Sequence, residues 1–304
     1  MSSSRYWTLL LVLASLWGAS YLFIKIGLED LSPAMVVFGR TLLAALVLFP
    51  LALRRRAFDT LRGSLGAMIG LAALQVAAPF LLISFGEEEI SSSLAGILVA
   101  TAPIFTALLA IWVDHDERSS GWRLAGIGIG IVGVALLLGV DVGGDTGALV
   151  GGLMVVLASL GYALGGFLVK RRLSQADPVG TVTVTMLASA VMTAPLAIAT
   201  APESLPDAGP VAAVAALGVL GTGISFVIFY TLIAGVGPAR AALVAYIAPG
   251  FAVAYGVALL DESFTAATAA GLLLILAGSW LAAEGARLPW RRAAAAPAPA
   301  ATRP

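Results

Sequence analysis

The chain has 304 residues, of which 60% are hydrophobic and 11% charged, and its basic and acidic side chains balance to zero net charge. A soluble domain of this composition would have too little polar surface, so the apolar excess must face lipid. Zero net charge excludes the basic surface expected of a nucleic-acid-binding protein. The lack of cysteine, with a single histidine, excludes thiolate chemistry and almost every zinc geometry.

Ten apolar segments of membrane length follow one another along the chain. A bilayer core of about 30 Å requires about 20 helical residues. The predicted spans are 7–28, 33–53, 64–85, 91–113, 121–140, 147–169, 179–200, 210–234, 239–260 and 265–285. Turns rich in Gly, Pro, Ser and Asp separate them. The sequence therefore predicts an all-α integral membrane protein with ten transmembrane helices.

The second half of the chain repeats the first at an offset of about 145 residues. The matched positions are Lys25 with Lys170, Phe80 with Phe226, Pro103 with Pro249, Phe105 with Phe251, Glu117 with Glu262, Gly126 with Gly271 and Gly133 with Gly278. Because each copy holds five spans, the two copies must insert in opposite orientations. We expect two inverted repeats, at 7–140 and 147–285. An external linker at 141–146 would join them, with cytoplasmic termini at 1–6 and 286–304 and a disordered C-terminal tail.

The basic residues test this topology independently. Of the 17 Lys and Arg residues, only Lys25 and Arg40 lie within predicted spans away from the cytoplasmic ends, and all the others fall on one side of the membrane. The loops of the opposite side carry acids instead, including Glu87, Glu88 and Glu89. By the positive-inside rule, both termini are expected in the cytoplasm. The predicted location is the inner membrane, with several passes.

Several short motifs, in order, resemble one transporter family. They are Leu16-Trp17-Gly18-Ala19, Arg40, Gly86-Glu87 followed by residues 90–95, Ala102-Pro103-Ile104-Phe105, Glu117 before Gly126, and the later Ala248-Pro249, Glu262, Gly271 and Gly278. Over roughly residues 7–284 the chain resembles the EamA-type transporters of the drug/metabolite transporter superfamily. The resemblance implies two inverted five-helix repeats around a central cavity and export of small metabolites. It is imperfect, because Tyr162-Ala163 replaces the Trp-Gly element in the second copy and residues 114–116 are unusually polar.

Arg40 gives the strongest signal of any single residue. A cation in mid-span costs about 2.5–3.5 kcal/mol on insertion scales, and no acid lies inside any predicted span to offset it. Arg40 either faces a water-filled cavity and binds an anionic or zwitterionic substrate, or it holds carbonyls and hydroxyls of a neighbouring helix. Lys25 lies near the end of its span with Glu29 at i+4, which favours an interfacial position.

Aromatic and polar side chains in mid-span are further candidates for a substrate cavity. Besides Arg40, they are Trp17, Tyr21, Gln75, Tyr162, Ser225, Tyr230 and Tyr246. Such a mixture is typical of a small-molecule site, although ordinary helix packing would also accommodate each one. Pro79, Pro103 and Pro249 lie inside spans and are expected to kink helices that gate the cavity. Simple tolerance of proline in membrane helices is the alternative.

Three structural roles are predicted for residues near the helix ends and contacts. Glu117 and Glu262 are each expected to cap the helix that follows. The pairs Gly126/Gly133 and Gly271/Gly278 present small faces for close helix contact. Glu87, Glu88 and Glu89 are typical of a solvated acidic loop, with a proton relay as the alternative, and His115 is expected in solvent.

The sequence also bears on mechanism. No P-loop motif is present, so no ATP is expected, and H-E-x-x-H is impossible with one histidine. We find no candidate catalytic residue, metal site or cofactor and expect no enzyme activity. The predicted function is secondary transport, by alternating access, that exports a small organic solute, amino acid-like or a related amphipathic compound. The alternative is a non-transporting polytopic protein, either a structural subunit or an intramembrane enzyme. The sequence is compatible with a monomer and does not define the oligomeric state.

Overall fold

The structure of the protein is a computed structural model that describes residues 1–113, 121–141 and 144–284. These residues form helices and no strands. The ten main helices are α1 Ser3–Gly27, α2 Pro33–Arg54, α3 Leu65–Glu89, α4 in two parts Ser92–Val99 and Ala102–Val113, α5 Gly121–Leu136 continued by Leu137–Asp141, α6 Thr146–Arg172, α7 Pro178–Ala199, α8 Ala208–Val236, α9 Val244–Leu259 and α10 Ala266–Glu284. The predicted all-α membrane fold is confirmed.

Nine of these helices, within the described residues, are long and apolar enough to cross a bilayer. The tenth, α9, is shorter because the predicted span 239–260 is divided. A four-residue helix, Pro238–Ala241, precedes Val244–Leu259. The division follows a turn at Gly237, whose φ of 86° lies in the region that favours glycine.

Helices α2 and α7 begin with the same local device, 145 residues apart. Ser32 accepts a hydrogen bond from the Met35 backbone N–H, and Pro33 occupies the first turn of α2. Asp177 accepts from the Val179 and Gly180 N–H groups, and Pro178 begins α7. A polar N-cap followed by proline satisfies one or more of the free N–H groups of the first turn. The repeat therefore extends to the way its helices start.

The packing of the ten helices follows the two repeats, α1–α5 and α6–α10. Helix α2 packs against α7, α4 against α9, and α5 against α10, and each of these pairs consists of equivalent helices. Helix α1 packs against α8 and α9, while α6 packs against α3 and α4. This exchange-symmetric pattern is that of two interleaved five-helix repeats. Because five is odd, the repeats have opposite topology in the membrane.

The contact between α5 and α10 depends on glycine. A Cβ added to Gly126 would lie 2.5 Å from the Ala282 backbone nitrogen and 2.7 Å from the Gly278 carbonyl oxygen. Lipid gives helices no hydrophobic reason to associate, so such close backbone approach supplies the van der Waals contact instead. The predicted small-faced packing is confirmed for this pair.

Two helices contain a widened π-helical stretch at equivalent positions, which the sequence analysis did not predict. They are Ala72–Ala77 in α3 and Val219–Ile224 in α8. In α3 the stretch ends just before Pro79, whose ring would clash with the carbonyl four residues earlier in a regular helix. In α8 the hydroxyls of Thr222 and Ser225 donate to carbonyls five residues back. Local π-helical turns are frequent at functional sites.

The repeat partners Pro103 and Pro249 lie at different places in their helices, and the symmetric kinks stay a prediction. Helix α4 stops at Ala100 and restarts at Ala102, so Pro103 lies in the first turn of a new segment. Helix α9 instead runs continuously through Pro249. Pro79 lies at the start of the regular part of α3, directly after the π-helical stretch.

Replacing Gly126 with valine is expected to destabilise the protein by about 1–3 kcal/mol, because the added side chain overlaps the backbone of α10. The matched control is Gly128→Val in the same helix, where an added Cβ meets nothing within 4 Å. Both variants would be compared by the fraction that remains monodisperse after heating in detergent. Equal stability of the two variants would contradict the close contact between α5 and α10.

Candidate functional site

The guanidinium of Arg40 lies between α3 and α8. Its Nε donates to Thr222 Oγ1 at 2.9 Å, and its Cζ lies 3.7 Å from the centroid of the Phe80 ring. Phe80 is 5% exposed and Thr222 is fully buried, so both contacts lie inside the bundle. The eighth residue of a helix is about 10 Å from its start. Arg40 is thus a mid-span cation held by a hydroxyl and by an aromatic face.

The hydrogen bond to Thr222 uses only the Nε of the Arg40 guanidinium. Within the described residues, the hydrogen bond found for this group is the one through Nε. Arg40 is also only partly buried, although it lies deep among the helices. Such a side chain borders space that a water-sized molecule can enter. The structure therefore shows the second reading of Arg40, because its guanidinium holds a hydroxyl of a neighbouring helix. The first reading, a fork of donors that faces a cavity, stays a prediction.

Three other polar groups lie around Arg40 on different helices. Tyr21 of α1, Tyr162 of α6 and Glu87 of α3 are all close enough to interact with its charge. Tyr21 also interacts electrostatically with Tyr162 and Glu87. Two of these residues, Tyr21 and Tyr162, were predicted cavity candidates, whereas Glu87 was expected in a loop. The fold brings a cation, an acid and two phenols together near the centre of the bundle.

An aromatic cluster extends this site on one side. The Trp17 ring lies 6.3 Å from the Phe226 ring and 5.3 Å from the Phe229 ring, and Phe226 stacks on Tyr230 at 6.0 Å. Phe226 packs against the same buried core as Phe80. The arrangement is mostly apolar with a few converging polar groups, which is typical of sites for small organic molecules.

The other candidates lie further from Arg40 or are already satisfied. Ser225 is fully buried, and its hydroxyl donates to the Leu220 carbonyl at 2.7 Å, so its role is structural. Gln75 lies in the π-helical stretch of α3, packed against Gly165 of α6. Tyr230 interacts electrostatically with Asp177 at the start of α7, and Tyr246 is partly buried in the first turn of α9.

Lys25 has a different role from the one predicted. Its Nζ donates to the carbonyl oxygens of Glu87 and Ile90, the latter at 2.9 Å, at the C-terminal end of α3. The last carbonyls of a helix lack partners within the helix, and a lysine can satisfy them. Lys25 therefore caps a neighbouring helix, and its position at the membrane interface stays a prediction.

The position predicted for the acidic residues after the third span was also wrong in part. Helix α3 continues to Glu89, and Glu87 is 0% exposed, with no hydrogen-bond partner for either carboxylate oxygen. Glu88 and Glu89 are exposed, as expected. The statement that no acid lies inside a span is corrected by Glu87. Three consecutive glutamates suggested a loop, but Lys25 caps the carbonyls and the helix extends through them.

Glu262 caps a helix of the other repeat. Its carboxylate accepts from the Ser92 N–H at 2.7 Å, the Ser93 N–H at 2.9 Å and the Ser93 hydroxyl at 2.5 Å. A carboxylate at a helix N-terminus complements the helix dipole, as expected. The helix is however α4 of the first repeat, and not α10, which follows Glu262. Glu117 and His115 lie outside the described residues.

The comparison with known proteins agrees with this arrangement. The model of the EamA-like transporter family matches residues 5–139 and 149–283. The chain belongs to the EamA-like transporter family. It is a multi-pass inner membrane transporter of the drug/metabolite transporter type, as the resemblance of its motifs implied.

Relatives with transporter names cover most of the chain. The chain is 31% identical to the uncharacterized inner membrane transporter YedA of Escherichia coli, over 84% of this chain and 83% of that protein. It is 26% identical to a probable amino-acid metabolite efflux pump of Escherichia coli, over 94% and 96%. It is 28% identical to a probable terminal-alkyne amino-acid exporter of Streptantibioticus cattleyicolor, over 86% of each. A crystal structure with 20% identity superposes with a TM-score of 0.68, covering 94% of this chain and all of that chain, which shows the shared fold.

Three residues of the site were not proposed as cavity residues from the sequence. Phe80 was noticed only as the repeat partner of Phe226, and Thr222 gave no signal beyond a hydroxyl in an apolar span. Glu87 was placed in a loop. If the third helix had been predicted to continue through residues 86–89, Glu87 would have been placed in its last turn. Within the described residues, no cluster of three His, Asp or Glu side chains is suited to a metal ion.

Replacing Glu262 with glutamine is expected to destabilise the protein by about 1–2 kcal/mol, because the cap of α4 loses its charge. The neighbouring Asp261→Asn is the control. Asp261 is exposed with a φ of 52°, which asparagine also tolerates. Thermal unfolding in detergent would compare the two. An Asp261→Asn variant less stable than Glu262→Gln would argue against the cap.

Proposed function

We propose that this protein is a secondary transporter that exports a small organic solute, amino acid-like or a related amphipathic compound, by alternating access. The observation that carries the proposal is Arg40, a mid-span cation that is only partly buried and is held through its Nε alone. A fork of two parallel donors matches a carboxylate in geometry and charge. The aromatic cluster from Trp17 to Tyr230 would bind the apolar part of the same molecule.

The relatives support this substrate class. Two of them are named for the export of amino acids or of amino-acid metabolites. An amphipathic zwitterion has the polar and apolar ends that Arg40 and the aromatic rings would bind. We infer export as the direction, since these names describe efflux pumps and exporters.

The helices that hold Arg40 also support a moving site. Phe80 follows the π-helical stretch of α3, and Thr222 lies within that of α8. Because π-helical turns are frequent at functional sites, a rearrangement of these two stretches would alter both contacts of the guanidinium together. Rocking of one repeat against the other around Arg40 would expose the site alternately to each side.

Loss of the Arg40 charge is expected to reduce transport about tenfold or more, since charge-assisted hydrogen bonds contribute about 1.5–3 kcal/mol. Counterflow of labelled amino acids and nucleosides in proteoliposomes would compare wild type, Arg40→Ala and Arg40→Lys. The control is Arg55→Ala, an exposed cation at the end of α2. Equal rates for Arg40→Ala and wild type would remove Arg40 from the site. Wild type that moves no compound would favour the alternative, a non-transporting membrane protein.

We further propose that both termini lie in the cytoplasm. Because the chain has no native cysteine, single cysteines can be introduced without background. Arg55→Cys and Arg172→Cys are expected to react with an impermeant maleimide from the cytoplasmic side only, and Glu203→Cys from the opposite side only. Labelling of the two arginine positions from different sides would contradict the inverted arrangement.

A further inference from the structure

Glu87 is the one charged side chain in the described residues that is fully buried. Both of its carboxylate oxygens lack a hydrogen-bond partner. The cap of α3 uses only its backbone carbonyl, which accepts from Lys25. Nothing in the fold described so far requires an acid at this position, since glutamine or leucine would leave the same carbonyl for Lys25.

We propose that Glu87 binds a proton and the cationic group of the substrate in alternation, so that one proton is exchanged for each substrate molecule exported. This inference rests on the proposed function and concerns the same site. The carboxylate of an amino acid would bind to Arg40 and its ammonium group to Glu87. In the exchange, the protonated carboxyl releases H⁺ to water, and the carboxylate formed pairs with the ammonium ion.

The groups that act on Glu87 come from every helix around it. They are Lys25 and Tyr21 of α1, Arg40 of α2 and Glu262 ahead of α10. Neither cation pairs with the carboxylate, because Lys25 donates to carbonyls and Arg40 to Thr222. The exposed Arg56 and Arg62 form ion pairs with Asp59, far from this site in the chain.

The environment favours a neutral carboxyl when no substrate is bound. A charged carboxylate without hydrogen bonds in an apolar interior is costly by several kcal/mol, whereas the acid avoids most of that cost. The nearby carboxylate of Glu262 adds repulsion. A substrate ammonium ion would supply the missing counter-charge and hydrogen bonds. Proton and ammonium are therefore alternative ligands of one buried group.

Arg40 and Glu87 together define a site for a zwitterion. The two opposite charges lie close enough to interact, on neighbouring helices, with Tyr21 acting on both. They do not form an ion pair with each other. A molecule with a carboxylate and an ammonium group would satisfy both charges at once, which neither an anion nor a cation could do.

Water can reach Glu87 from one end of the bundle when the repeats separate. An open pocket of about 540 Å³ lies beside Ser93, with Glu89 and Ala148 also in its wall. Ser93 lines this pocket, and Glu262 holds the backbone N–H groups of Ser92 and Ser93. Since that contact joins the two repeats, its opening would admit water to Glu87.

The first test is accumulation in proteoliposomes that carry a pH gradient, with the membrane potential clamped. One proton per substrate makes a gradient of one pH unit equivalent to about a tenfold concentration ratio. Labelled phenylalanine should accumulate about tenfold on the acidic side in wild type and in Glu88→Gln, the exposed neighbouring control. It should show no accumulation in Glu87→Gln, while Glu87→Asp should restore it in part. Accumulation by Glu87→Gln, or on the alkaline side by wild type, would overturn the proposal.

The second test does not depend on transport. The infrared spectrum of purified wild type should contain a protonated-carboxyl band that is absent from Glu87→Gln. Phenylalanine should remove this band, and N-acetylphenylalanine, which has no ammonium group, should not. A missing band, or one that ignores phenylalanine, would overturn the role of Glu87. If counterflow still occurs in that case, the proposed function stands; if wild type moves no compound, both fail.

Discussion

The structure depends on the requirement that polar groups in a bilayer find partners inside the protein, because lipid offers none. Lys25 satisfies the last carbonyls of α3, and Glu262 satisfies the first N–H groups of α4. These two charges meet the helix ends on either side of the α3–α4 turn. The turn can therefore be short and close to the apolar core, which brings Glu87 inside.

The charges in the bundle divide into two groups by their partners. Lys25 and Glu262 bond backbone groups at helix ends far from their own positions in the chain. Arg40 has only part of its guanidinium bound, and the carboxylate of Glu87 has no hydrogen bond. Incomplete satisfaction is costly in an apolar interior. A substrate that supplied the missing hydrogen-bond partners would remove this cost, and the energy recovered would contribute to its affinity. The groups that lack partners are therefore the functional candidates.

The repeat supplies the symmetry of the fold, and the site departs from that symmetry. Equivalent helices pack in pairs, and the π-helical stretches of α3 and α8 match. Arg40 has no basic counterpart in α7, since the residue 145 positions later is Thr185, and Trp17 is matched by Tyr162. The two halves thus share one framework of helices, while the side chains of the candidate site differ between them.

The sequence by itself determined the number of helices, their repeat and the importance of Arg40, because length, periodicity and the cost of a buried charge are local properties. Only the tertiary structure decided where the ends of the helices find their partners. Lys25 bonds carbonyls more than 60 residues away, and Glu262 bonds a helix 170 residues earlier, so neither contact has a local pattern. The burial of Glu87 follows from these contacts. A run of three glutamates resembles a loop until distant side chains cap the helix that contains it.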